Sequence, residues 1–269
     1  MEISFDLAQT NILFTDVDDT LTTEGQMLPE TYLALWQLAK MGIKVVPVTG
    51  GCAGWCDQII RTWPVYAVIG EGGAYYITRP SGYQLDWQFW HDRAQHQREQ
   101  QAIMADIQAQ DFGFPLQFAG DQPFRFVDVA VDCRQQQNLS EGQIRTVQDW
   151  LLAAGYQVRR SSIHLNVWQG SFDKCAMARR MAFEQLGLND AQVKAQAVFI
   201  GDAPNDESMF EFFPNTIGVS NISHHLANMM HHPQCITTEP AGRGFAEFVS
   251  AWHTQWQYHG DQRHTLLSS

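Results

Sequence analysis

Asn11-Ile-Leu-Phe-Thr-Asp-Val-Asp-Asp-Thr-Leu-Thr22 is the stretch that decides the fold of this chain. It begins with a short apolar run and continues with aspartates at positions 16, 18 and 19. A short apolar run of this kind is typical of a buried parallel strand. The carboxyl end of such a strand is where ligand crevices open in parallel sheets. The stretch therefore predicts a buried strand that carries acids into a crevice, although an acidic triplet alone also fits a turn that caps a helix.

The three neighbouring acids have an electrostatic consequence. Carboxylates this close repel one another, so keeping them all ionised is costly without a compensating cation. A hard divalent cation such as Mg²⁺ prefers carboxylate oxygens and removes this cost. The sequence therefore predicts a Mg²⁺ site near Asp16.

Two further apolar runs, at residues 43–49 and 197–202, also end in polar tips. Helical patterns cover residues 29–41 and the segment from Asp173 or Lys174 to Gly187. Strands that alternate with helices in this order predict a doubly wound, mostly parallel, Rossmann-like α/β core.

The middle of the chain has a different pattern. It combines a glutamine-rich helix with an alternating run at residues 125–132, a further helix and a short strand at residues 164–168. Alternation is typical of an antiparallel sheet with one solvated face. We therefore expect an α+β cap domain at residues 85–169, inserted between two halves of the core at residues 1–84 and 170–269.

Two groups in the predicted core suit a phosphate. The hydroxyl of Thr49 is followed by the backbone amides of Gly50 and Gly51, which can cradle an anion. Lys174 lies at a predicted helix start, where a cation is unfavourable unless an anion lies nearby. Considered alone, the segment from Thr49 to Gly51 also fits an ordinary strand-to-loop turn, and Lys174 also fits a solvated lysine.

Taken together, the tips form a known pattern. The residues that carry it are Asp16-x-Asp18-x-Thr20, Thr49, Lys174 and Gly201-Asp202-x-x-Asn205-Asp206. The order and spacing resemble the four motifs of haloacid dehalogenase-like phosphohydrolases. Residues 69–74, 218–221 and 242–245 resemble the branch with a large α/β (C2B-type) cap, which includes sucrose-phosphate, trehalose-phosphate and mannosyl-phosphoglycerate phosphatases. One departure is Gly51, where many relatives have an arginine.

The resemblance implies a role for each matching residue. Asp16 is expected to attack phosphorus and form an aspartyl phosphate, and Asp18 to serve as general acid and then base. Mg²⁺ is expected on the Asp16 carboxylate, the Asp18 backbone carbonyl and the Asp202 carboxylate. Asp206 is expected to orient Lys174 or a metal-bound water. The expected contacts of the phosphoryl group are Thr49, Gly50, Lys174 and Asn205.

The resemblance predicts a Mg²⁺-dependent phosphatase that acts on a small phosphorylated metabolite, most readily a sugar phosphate. Three alternatives stay open: a phosphotransferase or mutase on the same scaffold, a phospho-accepting signalling module, and a binding protein that has lost catalysis. The motifs name neither the substrate nor the oligomeric state.

Composition and charge restrict the partners and the location. The formal net charge of −12 offers no electrostatic footprint for nucleic acid or anionic lipid. No stretch approaches the roughly 18 apolar residues of a membrane span. The first basic residue is Lys40, and the five cysteines are scattered. We therefore expect a cytoplasmic protein with no membrane or nucleic-acid partner.

Weaker candidates lie in or beside the cap. Trp87, Trp90 and Trp168 either stack on a sugar or, as we favour, pack between cap and core. His164 and Asn166 either project toward the substrate or lie on a plain surface strand, and we favour the second.

Overall fold

The computed structural model describes residues 3–161 and 163–267, of which residues 258–267 are described by their backbone alone. Residues 1, 2, 162, 268 and 269, which fall within the predicted domains, lie outside the described residues. None of the helices in this described part has the length and apolar character needed to cross a bilayer.

The regular elements alternate along the chain. The strands are β1 (Ile12–Thr15), β2 (Thr22–Thr23), β3 (Gln26–Met27), β4 (Lys44–Pro47), β5 (Ala67–Gly70), β6 (Tyr75–Ser81), β7 (Gln84–Phe89), β8 (Val129–Asp132), β9 (Gln157–Arg160), β10 (His164–Trp168), β11 (Ala197–Gly201), β12 (Thr216–Gly218) and β13 (Cys235–Ile236). The helices are α1 (Pro29–Lys40), α2 (Ala53–Thr62), α3 (Arg93–Ala109), α4 (Glu141–Ala153), α5 (Lys174–Leu186), α6 (Asp190–Gln196), α7 (Glu207–Phe212) and α8 (Ala241–Leu267).

A parallel sheet with the strand order β13-β12-β11-β1-β4 forms the centre of the molecule. Ile12 of β1 pairs with β11 on one side and with β4 on the other. Successive side chains of β1 enter opposite hydrophobic clusters: Leu13 packs with α1 and α8, whereas Phe14 packs with α5 and α7. Helices therefore cover both faces of the sheet, which explains why its strands are apolar throughout. The predicted doubly wound α/β core is confirmed.

An antiparallel sheet, β5-β6-β7, continues the core beyond β4. Val48 forms a parallel bridge with Ile69 of β5, and the N–H of Thr49 donates to the carbonyl of Ile69 at 2.9 Å. β7 crosses the predicted boundary at residue 85 and pairs along β6. The division into core and cap stays a prediction, and we call residues 85–169 the insert.

A second antiparallel sheet, β8-β10-β9, lies within the insert. Side chains from one face of this sheet pack with α3 and α4 in a hydrophobic cluster of their own, separate from the two clusters of the core. Of residues 125–132, which alternation predicts as one strand, only Val129–Asp132 is a strand. The backbone N–H groups of residues 126–128 bind the carboxylate of Glu71 instead, so they are not available to a sheet ladder.

Candidate active site

Three of the predicted site residues follow neighbouring strands of the parallel sheet. Asp16 follows β1 directly, Asp202 follows β11 directly, and Thr49 comes two residues after β4. The N–H of Asp16 donates to the carbonyl of Ile200 at 2.9 Å, which extends the ladder by one residue and fixes Asp16 at the sheet edge. Because parallel strands end at the same edge, residues far apart in sequence meet there.

Lys174 joins this edge from the first position of α5. Its Nζ donates to Asp16 Oδ1 at 2.5 Å and to Asp206 Oδ1 at 2.7 Å, and its side chain is 5% exposed. Burial lowers the pKa of Lys174, but Asp16 and Asp206 outweigh burial and raise it above its usual value. Asp173 caps the N-terminus of this helix, and its side chain accepts from the N–H of Ala176 at 2.7 Å. Lys174 is therefore a charged group that bridges two buried carboxylates.

Asp206 is held against the backbone at the end of β11. Its Oδ2 accepts from the N–H of Asp202 at 3.1 Å, while its Oδ1 accepts from Lys174. A Cβ on Gly201 would lie 2.4 Å from this Oδ2, so the carboxylate approaches only because residue 201 has no side chain. The motif therefore requires a glycine at position 201 for a steric reason.

Asp18 and Thr49 face each other beside Asp16. Thr49 is buried and Asp18 is exposed. The Thr49 hydroxyl donates to Asp18 Oδ2 at 3.5 Å and accepts from the N–H of Gly51 at 2.8 Å. The chain then turns at Asp19, whose φ of 55° lies in the left-handed region that aspartate tolerates better than most residues. Asp18 is thus open to a ligand, while Thr49 is fixed in its loop.

The carboxylates of Asp16, Asp202 and Asp206 form a compact buried cluster. Each offers one oxygen that lies within 4.8 Å of the other two. Burial raises the pKa of Asp16 to about 8, although Lys174 acts in the opposite direction. Burial, followed by the charges of Asp16 and Asp206, raises the pKa of Asp202 well above its usual value. Fully ionised, the three carboxylates would carry more negative charge than Lys174 balances, and their hard oxygens fit a divalent cation such as Mg²⁺, which would favour the ionised forms.

Asp202 is oriented by Asn221, a residue for which the sequence analysis predicts no individual role. Asn221 Nδ2 donates to Asp202 Oδ2 at 3.0 Å and to the carbonyl of Asp19 at 3.1 Å. Its Oδ1 accepts from the N–H of Ala241 at the start of α8. Asn221 follows β12, another strand that ends at the same edge, and this position is the signal by which sequence reasoning can find it.

Gly50 and Asn205, the remaining predicted phosphate contacts, lie on two loops of the site. An added Cβ on Gly50 would meet nothing within 4 Å, so the loop is open on that side. Asn205 Oδ1 is buried and, among the described residues, has no hydrogen-bond partner. A buried amide of this kind is costly unless a ligand or water satisfies it.

Polar residues of the insert approach the site through residues 125–128, which we call the insert loop. Arg125 Nη1 donates to the carbonyl of Gly50 at 3.0 Å and to Asp128 Oδ1 at 2.8 Å. Asn166, a weaker sequence candidate, donates from Nδ2 to Asp128 Oδ2 at 2.7 Å. Sequence reasoning missed Arg125 and Asp128, because an alternating run hides a loop that uses its backbone to bind a buried acid.

The other weak candidates have structural partners. His164 Nε2 lies 2.9 Å from Gln135 Oε1. Trp87 packs against Tyr75 and Phe126, and Trp168 stacks on Phe172. Trp90 is partly buried and also contacts Phe172. These tryptophans therefore contribute packing between the insert and the core.

Comparison with known proteins gives matches to solved structures. No protein-family model and no curated protein matches the chain. A protein from Thermoplasma acidophilum aligns with a TM-score of 0.72 at 13% identity, over 91% of this chain and 99% of that one. The sucrose-phosphatase of Synechocystis, solved with sucrose and phosphate, aligns with a TM-score of 0.65 at 18% identity, over 91% and 98%.

A haloacid dehalogenase-like hydrolase from Bacteroides thetaiotaomicron aligns with a TM-score of 0.65 at 14% identity, over 90% of this chain and 98% of that chain. Each alignment includes both the parallel core and most of the insert, since it covers at least nine-tenths of the chain. The chain therefore has the fold of the haloacid dehalogenase-like hydrolases, including a large inserted cap.

Proposed function

We propose that the protein is a Mg²⁺-dependent phosphatase that hydrolyses a small phosphorylated metabolite through an aspartyl phosphate on Asp16. The observation that carries this proposal is the buried contact of Lys174 with both Asp16 and Asp206, beside the carboxylate of Asp202. Such a cluster combines a nucleophile, a cation for an anionic substrate and oxygens for a metal. A structural ion pair needs only one carboxylate for one lysine.

In this proposal Asp16, Asp202 and the backbone carbonyl of Asp18 hold the Mg²⁺. Asp206, the third acid of the compact cluster, fixes Lys174. The metal supplies positive charge that lets an anionic nucleophile and an anionic phosphate approach each other.

The chain's own residues perform the steps. One Asp16 oxygen forms a bond to phosphorus while the bond from phosphorus to the ester oxygen breaks. Asp18 gives its proton to the departing alcohol, then takes a proton from the water that attacks the aspartyl phosphate. Lys174, Thr49 and the amide of Gly50 bind the phosphoryl oxygens, across which negative charge is spread.

The insert sets the leaving group and excludes bulk water. We propose a sugar phosphate as the substrate, supported by the polar insert loop that contacts Gly50 and by the likeness to a sucrose-phosphatase. We place the enzyme in the cytoplasm, because the cysteines of the described residues are free and suit a reducing compartment.

A phosphate-release screen over sugar phosphates, nucleotides and phosphorylated acids tests the proposal. We expect release from at least one sugar phosphate, and a loss of about 10⁴-fold or more in kcat for Asp16→Asn. Asp57→Asn, which alters an exposed acid paired with Arg61, is the matched control and keeps full activity. Release by Asp16→Asn at the parent rate would exclude Asp16 as the nucleophile.

The same screen separates hydrolysis from transfer. A phosphatase passes the phosphoryl group to water at an unchanged rate when a second sugar is added. A phosphotransferase or mutase instead yields a second phosphorylated sugar, and that product would replace hydrolysis as the assigned reaction.

A further inference from the structure

Glu71 is a buried acid that the proposed reaction does not use. It follows β5 in a glycine-rich turn, its side chain is completely buried, and its φ is 45°. Among the described residues, no lysine or arginine forms an ion pair with it. A left-handed backbone at a residue other than glycine and a buried carboxylate are both costly, so the surrounding structure must hold them in place.

The partners of the Glu71 carboxylate are backbone N–H groups of the insert loop. Glu71 Oε2 accepts from Val127 at 2.7 Å and from Asp128 at 3.0 Å, and Oε1 accepts from Phe126 at 2.9 Å. Oε1 also accepts from the N–H of Ala53 at the start of α2 and, at 3.4 Å, from the hydroxyl of Tyr75. Burial, followed by the charge of Asp128, raises the pKa of Glu71 to about 8, although Arg125 and the N–H donors act in the opposite direction. A glutamine at this position would turn an NH₂ group toward some of these donors.

The insert loop also donates a hydrogen bond to the core, from one of its side chains to a backbone carbonyl. Arg125 Nη1 donates to the carbonyl of Gly50, and the same guanidinium binds Asp128. Asp128 in turn accepts from Asn166, which lies on β10 of the insert sheet. Contacts in both directions therefore tie the insert sheet to the loop that follows β4.

The turn at Glu71 contacts the proposed phosphate site as well. The N–H of Glu71 donates to the carbonyl of Gly51 at 3.2 Å, and the N–H of Gly72 donates to the carbonyl of Thr49 at 3.0 Å. A Cβ on Gly73 would lie 2.2 Å from the carbonyl oxygen of Asp173, next to Lys174. One turn thus contacts the loop of Thr49, the start of α5 and, through the Glu71 side chain, the insert.

We propose that Glu71 is a positioning residue that fixes the insert loop against the loop at residues 49–51 and couples the insert to occupancy of that loop. The second part rests on the proposed function, because the occupant there is a phosphoryl group. Glu71 itself touches neither substrate nor metal in this scheme. It acts through the backbone of residues 126–128.

Hydrogen exchange measured by mass spectrometry tests the first part without turnover. In ligand-free Glu71→Gln, we expect exchange of the amides at residues 126–128 to rise by about tenfold, because a glutamine side chain cannot accept from all of these donors. Exchange in β11 should stay unchanged. Glu184→Gln, which alters a half-buried acid bonded to Tyr76, is the matched control and leaves both regions unchanged.

Inorganic phosphate with Mg²⁺ is the probe for the second part. We expect phosphate to slow exchange at residues 126–128 in the parent protein and to have no such effect in Glu71→Gln. If Glu71→Gln does not fold, Glu71→Asp replaces it, because aspartate keeps the charge and shortens its reach.

The outcomes separate the two proposals. Unchanged exchange at residues 126–128, or an equal rise in β11, would overturn the role of Glu71. Phosphate that protects neither residues 49–51 nor residues 126–128 in the parent protein would overturn the phosphate site and the coupling, while the ligand-free comparison still decides whether Glu71 fixes the insert loop.

Discussion

The sheet-edge cluster of Asp16, Lys174, Asp202 and Asp206 and the contact between Glu71 and the insert loop are both buried polar networks. They are built from different groups. In the cluster, side chains bind side chains, so both partners can be recognised by their residue types in the sequence. At Glu71 a single carboxylate binds backbone N–H groups, which every residue except proline carries. Sequence analysis can therefore predict both partners in the sheet-edge cluster, whereas at Glu71 it can predict only the carboxylate.

Metal removal tests the sheet-edge cluster and has the largest expected effect. We expect EDTA to abolish phosphate release and Mg²⁺ to restore it, because the proposed reaction uses a divalent cation that the clustered carboxylates could hold. Mg²⁺ should also raise the melting temperature of the parent protein but not of Asp202→Ala. Asp190→Asn, which alters an exposed acid, keeps the rise. Undiminished activity in EDTA would remove the metal from the mechanism.

A cavity in the insert tests how well the hydrophobic cluster of the insert is packed. Leu165 is completely buried in the insert's own hydrophobic cluster. We expect Leu165→Ala to lower the free energy of unfolding by about 2–5 kcal/mol in urea titrations. Leu152→Ala, at an exposed position of α4, should change it by less than about 0.5 kcal/mol. A Leu165→Ala protein as stable as the parent would show that this cluster is not well packed.

Asn221 provides a further test of the sheet-edge cluster, because it orients a proposed metal ligand without being one. We expect Asn221→Ala to weaken Mg²⁺ binding by about 10–100-fold, measured by isothermal titration calorimetry. Asn228→Ala, an exposed asparagine in the same segment, is the control. Equal Mg²⁺ affinity in both variants would contradict the orienting role.

The smallest expected effect is on the pH dependence of stability, and it comes from His96 on α3 of the insert. Its side chain is buried, and Nε2 accepts from the N–H of His91 at 3.0 Å. Burial lowers its pKa, although Glu99 opposes the shift. As the pH falls, the unfolded chain therefore binds a proton on this histidine before the folded protein does. The contribution of His96 to the free energy of unfolding is complete above the unfolded pKa of about 6.5 and declines below it.

We expect this group to contribute at most about 1.4 kcal/mol per pH unit between pH 6.5 and its lowered folded pKa. Urea titrations of the parent protein and of His96→Gln measure the difference in slope. His224→Gln, at an exposed position, should leave the slope unchanged. A parent slope that His96→Gln does not reduce would contradict the buried neutral state.

The sequence predicts the core because its signals are local. An apolar run followed by Asp16 or Asp202 indicates both a strand and the edge where it ends, and Asp173 with Gly187 marks the ends of α5. The insert loop was not predictable in the same way, because residues 125–128 satisfy their backbone with Glu71 rather than with a neighbouring strand. The alternating pattern there continues into β8, so it gives no sign of where the strand begins.

The pairing of β1 has a consequence for folding. β1 pairs with β4, which follows early in the chain, and with β11, which is synthesised only after the whole insert. Until β11 emerges from the ribosome, one side of an apolar strand has no partner, and nascent chains with such edges tend to aggregate. A chain cut before residue 197 should therefore be recovered mainly as insoluble material, even though the insert has a hydrophobic cluster of its own.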